Sequence, residues 1–328
     1  MVTLRGLRPD DIPAHAALLA AAEAVDDTGE HDNEADLVEE YANPDIELGH
    51  DIVGAFDGDD LVGYFAVYPR LAAGSHLKAH LDGTVRPDRR GEGIGTALVT
   101  AMVARVDAVH AGRHPELPAR LEVSGLSTNT AQGSLLATVG LLPHRYTSAM
   151  RVHLDRLGAD PTPPPLPAGL TLVTYSAGLD RAVREAHNEA FLDHPDFTPW
   201  TEVMWAQWVG GSRNFRPELS VLLVEDSAPE RVVAYVQSNE FDAYFQATGR
   251  REVYVARVGT RRAWRGQGVA GALLGEVLRR CRAAGFDEVS LDVDSANPTG
   301  ALGVYERAGF EVERRATNYA LERPPLTP

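Results

Sequence analysis

Two glycine-rich turns, at corresponding places in the two halves of the chain, carry the residue types best suited to chemistry. Both fit the pattern R-x-x-G-x-(G/A), at residues 90–95 (RGEGIG) and 265–270 (RGQGVA). Each follows a strand-like segment and opens a helix with apolar periodicity. Glycines let successive backbone N–H groups point into one concavity, and the following helix adds its unpaired N–H groups and positive dipole end. The pattern predicts a pyrophosphate cradle, and its recurrence in the same context argues against a turn that only connects two elements.

A second segment with chemical potential lies near the end of the chain, at residues 297–310 (NPTGALGVYERAGF). The glycine turns are neither the G-x-x-x-x-G-K-(S/T) loop nor the three-glycine dinucleotide fingerprint with its acidic residue about twenty positions later. The turns and this segment instead resemble the GNAT superfamily of N-acetyltransferases, in two copies over nearly the whole chain. That resemblance implies an enzyme, an acyltransferase with acetyl-CoA as co-substrate.

The resemblance also implies roles for individual residues. Tyr305 would be the general acid that protonates the departing CoA thiolate, and the alternative is a tyrosine that only packs in the core. The positions of the second half that would bind CoA are Val258, Gly259, Thr260, Arg265, Gly266, Gln267, Gly268, Val269, Ala270, Gly271 and Asn297. Their counterparts in the first half are Gly83, Thr84, Val85, Arg90, Gly91, Glu92, Gly93, Ile94, Gly95 and Thr96.

An amine nucleophile must also lose a proton, so the reaction needs a base. In this family the base is often a Glu on the strand before the turn, and Glu252 is the candidate. Related enzymes commonly place the base two positions later, which falls on Tyr254, and strand periodicity puts both side chains on one face. Glu240, a water chain and a purely structural role for Glu252 remain open alternatives.

The first half departs from the family pattern at the position of the acid. Its segment at residues 128–141 keeps Asn129 and Gly140 but has Leu136 where the second half has Tyr305. Because leucine cannot donate a proton, we expect the first half to bind CoA without catalysis or to act as a scaffold that completes the substrate pocket.

The elements that position these residues recur in the same order in both halves. Each half reads as a helical start, a strand pair, a longer strand, the turn, a helix, a strand and a final helix, and a proline-rich segment separates the halves. Strands joined by a crossover helix predict a mixed sheet. We therefore predict an α/β fold of two tandem GNAT-like domains, each a mixed β-sheet with helices on both faces: a non-catalytic domain at 1–157, a linker at 158–169 and a catalytic domain at 170–328.

Composition and charge narrow the class of protein. The 328 residues carry a net charge of −16 and one cysteine, Cys281, within a helical stretch. The charge argues against nucleic acid and anionic membranes as partners. The cysteine count and histidine spacing predict no metal, and Cys281 is expected to be a buried, inert thiol. Short apolar stretches and an N-terminus unlike a signal peptide predict a cytoplasmic protein. A monomer or a homodimer is expected, and the sequence does not distinguish the two.

The N-terminal region has a marked charge asymmetry. Residues 9–69 contain no Lys or Arg but many Asp and Glu. A solvated acidic surface is the simpler interpretation, and the alternative is attraction of a cationic substrate such as an amine.

Several functions fit these features. We predict acetyl transfer to an amine of a small molecule, and His187, His194, Trp200, Trp205 and Trp208 could shape its pocket or simply pack in the core. The stretches REVYVARVGT and LDVDSANPTGALGVYERAGF are similar to mycothiol synthase, which acts on cysteinyl-glucosaminyl-inositol, and also to other actinobacterial tandem acetyltransferases. A protein-lysine acetyltransferase and a non-catalytic acyl-CoA sensor are further alternatives, and retention of Tyr305 argues against the sensor.

Overall fold

The computed structural model describes residues 2–70, 75–158, 165–193, 197–295 and 300–327. Its internal contacts divide the chain into two compact units. The first, here called the N-terminal unit, comprises Met1–Tyr146 and Arg315–Pro328, and the second, the C-terminal unit, is the continuous segment Thr147–Arg314.

The N-terminal unit is a mixed sheet with helices on both faces. Its strands are β1 (Thr3–Gly6), β2 (Ile52–Asp57), β3 (Asp60–Arg70), β4 (Leu77–Val85) and β5 (Ala119–Leu126), and its helices are α1 (Ile12–Asp26), α2 (Glu34–Tyr41), α3 (Ile94–Arg113) and α4 (Thr130–Ala137). β4 and β5 run parallel, and the other neighbours are antiparallel. One core lies under α1 and α2, around Leu18, Leu37 and Tyr64. A second core lies under α3 and α4, around Leu98, Val106 and Leu136.

The C-terminal unit repeats this plan. Its elements are β6 (Leu142–His153), β7 (Leu170–Thr174), α5 (Asp180–Ala190), α6 (Glu202–Trp205), which continues as a π-helical turn (Ala206–Gly210), β8 (Val221–Glu225), β9 (Ala228–Asn239), α7 (Asp242–Thr248), β10 (Glu252–Thr260), α8 (Val269–Ala283), β11 (Glu288–Asp294) and α9 (Ala301–Arg307). β10 and β11 are the parallel pair. α8 and α9 cover one face, and α5 with the aromatic residues after it covers the other. The predicted fold class is confirmed for both units.

The last strand of each half belongs to the unit built mainly by the other half. Residues 147–153 of β6 pair antiparallel with β11, whereas residues 316–323 of β12 (Glu311–Arg323) pair antiparallel with β5. The predicted boundaries at 1–157 and 170–328 therefore differ from the units in one respect, because sequence similarity reveals the repeat but not the sheet that each last strand joins. Most of the predicted linker, residues 159–164, lies outside the described residues.

Helix α3 is long and apolar enough, by length and composition, to cross a membrane, and it is the one such helix among the described residues. The expectation that every apolar stretch is too short therefore fails for α3. Its side chains Val99, Met102 and Val106 are buried in the core of the N-terminal unit. Packing against the sheet accounts for its apolar character without a membrane.

Candidate functional site

The glycine turn of the C-terminal unit has an open geometry. Gly266 and Gly268 adopt φ angles of +75° and +78°, in the left-handed region that favours glycine. Helix α8 begins at Val269 without a side-chain cap, and its first backbone bond joins the Ala272 N–H to the Gly268 carbonyl at 3.0 Å. Among the described residues, no atom other than those of the glycine and its chain neighbours lies within 4 Å of the position that a Cβ would take on either glycine. The turn therefore presents the uncapped N–H groups of a helix start to an open space, which fits a diphosphate.

The N-terminal unit contains the same turn with nearly the same backbone. Gly91 and Gly93 have φ angles of +81° and +83°, and the space above them is also open. The Ala97 N–H donates to the Gly93 carbonyl at 3.1 Å, so α3 likewise begins without a side-chain cap. Both turns thus have the open backbone geometry that the predicted diphosphate cradle requires.

The arginine that begins each motif is bound to the protein itself. Arg265 donates from Nε to the Thr260 carbonyl at 3.2 Å and from Nη1 to the Asp193 carboxylate at 2.6 Å. Arg90 donates from Nε to the Val85 carbonyl at 3.0 Å and forms a two-bond ion pair with Asp26, both at 2.6 Å.

The other side chains of the two turns are also bound to the protein. Gln267 donates to the Ala263 carbonyl at 3.0 Å, and Glu92 accepts from Arg89 at 3.0 Å. The backbone is therefore the part of each turn that stays open toward a ligand.

A gap opens between β10 and β11 beside the turn. The two strands pair only from Glu252 to Tyr254, and β10 shifts its register against β9 between Val255 and Arg257. Val258, Gly259 and Thr260 lie beyond the last pair, and among the described residues they pair with β9 on one side and with no strand on the other. Their other edge can bond an extended amide chain as a neighbouring strand would.

In the N-terminal unit, the part of β4 that extends beyond its pairing with β5 is shorter than the corresponding part of β10. β4 pairs with β5 from Leu77 to Leu81, and its register against β3 is continuous. Gly83, Thr84 and Val85 lie beyond the last pair. The strand irregularity of β10 therefore has no counterpart in β4.

Tyr305 lies on α9 in the core that α8 and α9 share. Its side chain is 9% exposed, and its ring is 6.1 Å from that of Phe310 in an edge-on arrangement. Burial raises the pKa of Tyr305 to about 12. The phenol is therefore protonated at neutral pH, which is the form that a general acid needs. Asn297 lies outside the described residues.

Glu252 lies at the start of β10 in a buried ion-pair cluster. Its carboxylate accepts from Arg151 Nη1 at 2.6 Å, and Arg151 also contacts Glu288 and Glu313, each at 2.9 Å. Burial raises the pKa of Glu252, and the Arg151 charge opposes this increase. No contact in the described part of the chain joins Glu252 to Tyr305, so the structure brings the predicted base together with Arg151 rather than with the predicted acid.

The two alternative bases have partners of their own. The Tyr254 hydroxyl donates to the Asp292 carboxylate at 3.0 Å. Glu240 accepts from Arg216 at 2.9 Å and from Arg251 at 3.0 Å, so two guanidinium groups already contact its carboxylate.

The α5 face of the sheet carries an aromatic cluster and one arginine that sequence reasoning missed. His187, Trp200 and Trp205 are buried there, and His187 Nδ1 lies 2.5 Å from the Tyr235 hydroxyl. This supports core packing for these three side chains, whereas Trp208 is exposed and His194 lies outside the described residues. Arg257, at the register shift of β10, places its guanidinium 4.5 Å from the centre of the Trp200 ring. A charged residue inside an apolar strand was the available signal.

The remaining predictions concern Cys281, the counterpart of the acid position in the first half, and metal binding. Cys281 is fully buried, which confirms the predicted burial, and burial raises its pKa to about 12, which disfavours the reactive thiolate. Leu136 is 4% exposed in the core below α4, while Asn129 caps that helix by accepting from the Gln132 N–H at 3.0 Å. Among the described residues no group of three or more His, Cys, Asp or Glu could hold a metal ion.

Comparison with known proteins gives two matches to one family model, described as the acetyltransferase (GNAT) family, at residues 19–118 and 181–310. A mycothiol acetyltransferase of Parafrankia sp. is 30% identical over 98% of this chain and 97% of its own length. A second, from Kocuria rhizophila, is 30% identical over 80% of this chain and 82% of its own length.

Solved structures resemble the chain over its whole length. A GCN5-related N-acetyltransferase from Sphaerobacter thermophilus superimposes with a TM-score of 0.77 at 30% identity, covering 98% of this chain and 96% of that one. A tandem GNAT protein from the clavulanic acid biosynthesis pathway has a TM-score of 0.70 at 19% identity, with 98% of each chain covered. Because the second structure is only 19% identical in sequence, its similarity to this chain supports the fold alone.

Proposed function

The chain belongs to the acetyltransferase (GNAT) family, and from that premise we propose that its C-terminal unit transfers the acetyl group of acetyl-CoA to an amine of a small molecule. The observation that carries the proposal is the combination, in one unit, of the open turn at Gly266 and Gly268, the gap beside β10 and the buried, protonated Tyr305.

Acetyl-CoA supplies an activated thioester, and the residues of the chain bind it and move protons. The N–H groups at the start of α8 hold the diphosphate, and the open edge of β10 at Val258 and Thr260 bonds the amides of the pantetheine arm. The amine nitrogen forms a bond to the acetyl carbon while the bond from that carbon to sulfur breaks. Tyr305 gives its proton to the sulfur, and Glu252 takes the proton that the amine loses.

The N-terminal unit takes no part in this chemistry in our proposal. Its turn at Gly91 and Gly93 has the geometry of a diphosphate cradle, yet Leu136 replaces the acid and β4 lacks the register shift of β10. A unit with a cradle but no proton donor can hold CoA without accelerating its cleavage.

A narrower candidate for the acceptor comes from the relatives. The two mycothiol acetyltransferases match this chain at 30% identity, one of them over 98% of it. The corresponding acceptor for this chain is the amine of cysteinyl-glucosaminyl-inositol. A non-catalytic acyl-CoA sensor is the opposing candidate, and a retained buried Tyr305 disfavours it.

Thiol release from acetyl-CoA tests the proposal. The parent, Tyr305→Phe and Tyr319→Phe are compared with cysteinyl-glucosaminyl-inositol, aminoglycosides, amino acids and lysine peptides as acceptors. Tyr319 is a matched control, since it is buried to a similar degree, 7% exposed, but lies in the N-terminal unit. We expect kcat with one class of small amine to fall by about 10²–10⁴ in Tyr305→Phe and to stay near the parent value in Tyr319→Phe.

Three outcomes contradict the proposal. Equal rates for Tyr305→Phe and the parent would remove Tyr305 from the mechanism. Calorimetric binding of acetyl-CoA without turnover on any acceptor would favour the sensor, and turnover on peptides alone would favour a protein acetyltransferase.

A further inference from the structure

Arg151 reaches across the sheet of the C-terminal unit to the carboxylate of Glu252. It lies on β6, opposite Ser290 of β11. Two positions earlier on β11, Glu288 lies opposite Glu252 of β10, so all four side chains share one face of the sheet. Because β11 lies between them, β6 and β10 are about 10 Å apart, and a long side chain is needed to cross that distance. Nη1 of Arg151 donates to Oε1 of Glu252 at 2.6 Å, so a residue of the first half of the sequence contacts the base of our proposal.

Arg151 is the cation on which Glu252 depends. Arg151 also contacts Glu288 and Glu313, each at 2.9 Å. These other two carboxylates have a second arginine each, at 2.8 and 2.9 Å, and the pairs are Glu288 with Arg250 and Glu313 with Arg314. Among the described residues, Arg151 is the one Lys or Arg that forms an ion pair with Glu252. Loss of Arg151 would therefore leave Glu252 as the one carboxylate of the three without a cationic partner.

The titratable side chains around Glu252 come from several elements packed against it. On β10 itself, Tyr254 lies on the same face and donates to Asp292. The others lie on β6, α7, β11, β12 and the turn before β10, and they are Arg151, His153, Tyr244, Glu288, Glu313 and Arg250. The arginines in this group are charged at every pH of interest, whereas the carboxylates can take up a proton.

The charge of Arg151 decides which form of Glu252 is favoured. Burial raises the pKa of Glu252, the charge of Arg151 lowers it, and the charge of Glu288 raises it further. The side chains of Arg151 and Glu252 are 8% and 9% exposed, so solvent screens their attraction weakly. Without Arg151, both burial and Glu288 favour the protonated carboxyl, which cannot take a proton from an amine.

Stability alone is a weak explanation for this ion pair. Removing two charges from water costs about as much as their attraction returns, and well-packed apolar side chains of similar volume are often as stable or more stable. What a buried arginine does beside a proton acceptor is to fix the position and the protonation state of that acceptor.

We propose that Arg151 is a positioning residue for acetyl transfer, which holds the Glu252 carboxylate in place and in the charged form that accepts the proton of the amine. The inference rests on the proposed function, because it takes Glu252 as the base. It adds that the first half of the sequence, through β6, supplies a side chain that the base of the second half needs.

The pH dependence of kcat tests this role in a pair of variants. Glu288→Gln alone is compared with Glu288→Gln combined with Arg151→Gln, because the double variant loses one charge of each sign and its folding is affected less than that of Arg151→Gln alone. Loss of Arg151 raises the pKa of Glu252, so the rise of kcat should move to higher pH. Below the midpoint of that rise we expect kcat of the double variant to be about tenfold lower or less, and at high pH to approach that of Glu288→Gln.

Two further variants separate the charge of Arg151 from a general effect on the cluster. Arg151→Lys keeps the charge and should keep the pH dependence close to that of the parent. Arg250→Gln removes a guanidinium that contacts Glu288 and, among the described residues, forms no ion pair with Glu252. Its side chain is 44% exposed, and we expect it to move the pH dependence much less than loss of Arg151 does.

Three results would overturn the inference. The first is an identical pH dependence in Glu288→Gln and in the double variant. The second is a loss of kcat by the same factor at every pH, which a purely structural role predicts. The third is an equal movement in Arg250→Gln or in Arg151→Lys.

Carbon-13 NMR of protein labelled at the glutamate carboxyls separates this inference from the acetyltransferase proposal. It follows the titration of Glu252 without acetyl transfer, and Glu252→Gln assigns the signal. If the parent releases no thiol with any acceptor, the acetyltransferase proposal fails, yet a higher titration midpoint in the double variant than in Glu288→Gln would still support the effect of Arg151 on Glu252. Equal midpoints in an active enzyme would overturn the role of Arg151 alone.

Discussion

Tyr305 and Leu136 occupy corresponding places in the two units and have nearly the same burial, 9% and 4% exposed. The difference between them is a hydroxyl group and the proton it carries. The sequence allowed this contrast to be predicted, because both positions follow from the spacing of short motifs. The partners of Arg90 and Arg265 could not be predicted, since Asp26 and Asp193 lie in distant parts of the chain and only the fold brings them near.

The buried cluster around Arg151 was also beyond sequence reasoning. Arg151 lies on β6, and the carboxylates it contacts lie on β10, β11 and β12. Only the pairing of β6 with β11 places Arg151 beside Glu252 and Glu288. Glu252 was singled out as a Glu on the strand before the turn, and its place in the sequence says nothing about a partner on another strand.

The pH dependence of acetyl transfer tests the role of Glu252. A base acts when deprotonated, so kcat should rise with pH through the pKa of Glu252, which burial holds above its usual value. We expect Glu252→Gln to lower kcat by about 10²–10⁴. It should also abolish the rise of kcat with pH on the acidic side of the profile, here called the acidic limb. Glu288→Gln is the control in the same cluster; it should reduce thermal stability but keep the limb. A Glu252→Gln enzyme that loses stability and keeps the limb would assign Glu252 to structure.

At the scale of elements, the two glycine turns provide a matched pair of substitutions. Gly268→Ala and Gly93→Ala place a methyl group over a turn whose φ is +78° or +83°. Each should cost about 1–2 kcal/mol of stability from the left-handed backbone alone, because no other described residue has an atom within 4 Å of the new methyl. In our proposal only Gly268→Ala raises the KM for acetyl-CoA, by tenfold or more.

Thermal unfolding of both alanine variants is the control for this comparison, and their losses should be equal. Calorimetric titration with CoA then counts the occupied turns. Two sites in the parent and one in each variant would place CoA in both units. An unchanged KM in Gly268→Ala would contradict the assignment of the diphosphate to the turn before α8.

Apolar periodicity and turn residues were enough to predict most strands and helices. The predicted strand pair of the first half, for example, is the hairpin of β2 and β3, and it turns at Gly58, which has a φ of +63°, in an Asp-Gly pair of the kind that favours such turns. Helix α7, between β9 and β10, was not predicted. Neither was the early end of β10 pairing at Tyr254, because the divergence of two strands depends on what lies between them and not on either sequence.

At the scale of the whole molecule, fragment stability tests the exchange of strands. The fragment 147–314 keeps residues 147–154, and Met150 and Val152 of β6 and Leu154 directly after it are buried in the core of the C-terminal unit. The fragment 170–328 lacks them, at a cost of roughly 1.5–3 kcal/mol for each buried side chain, and leaves Glu252 and Glu288 buried without Arg151.

We expect 147–314 to unfold cooperatively on heating and 170–328 to be unfolded or aggregated, as circular dichroism and size-exclusion chromatography will report. If the boundaries predicted from the sequence were those of the folding units, the fragment 170–328 would be the more stable of the two. A stable 170–328 fragment beside an unfolded 147–314 fragment would contradict the units described here.

The exchange of strands also sets an order of assembly while the chain is being synthesised. The ribosome completes the segment Thr147–Arg314 before it makes the strand that pairs with β5. Until residues 316–323 emerge, one edge of β5 has no partner, and its N–H and C=O groups are open to pairing with another chain. The N-terminal unit, whose synthesis begins first, is therefore completed only after the whole C-terminal unit has been made.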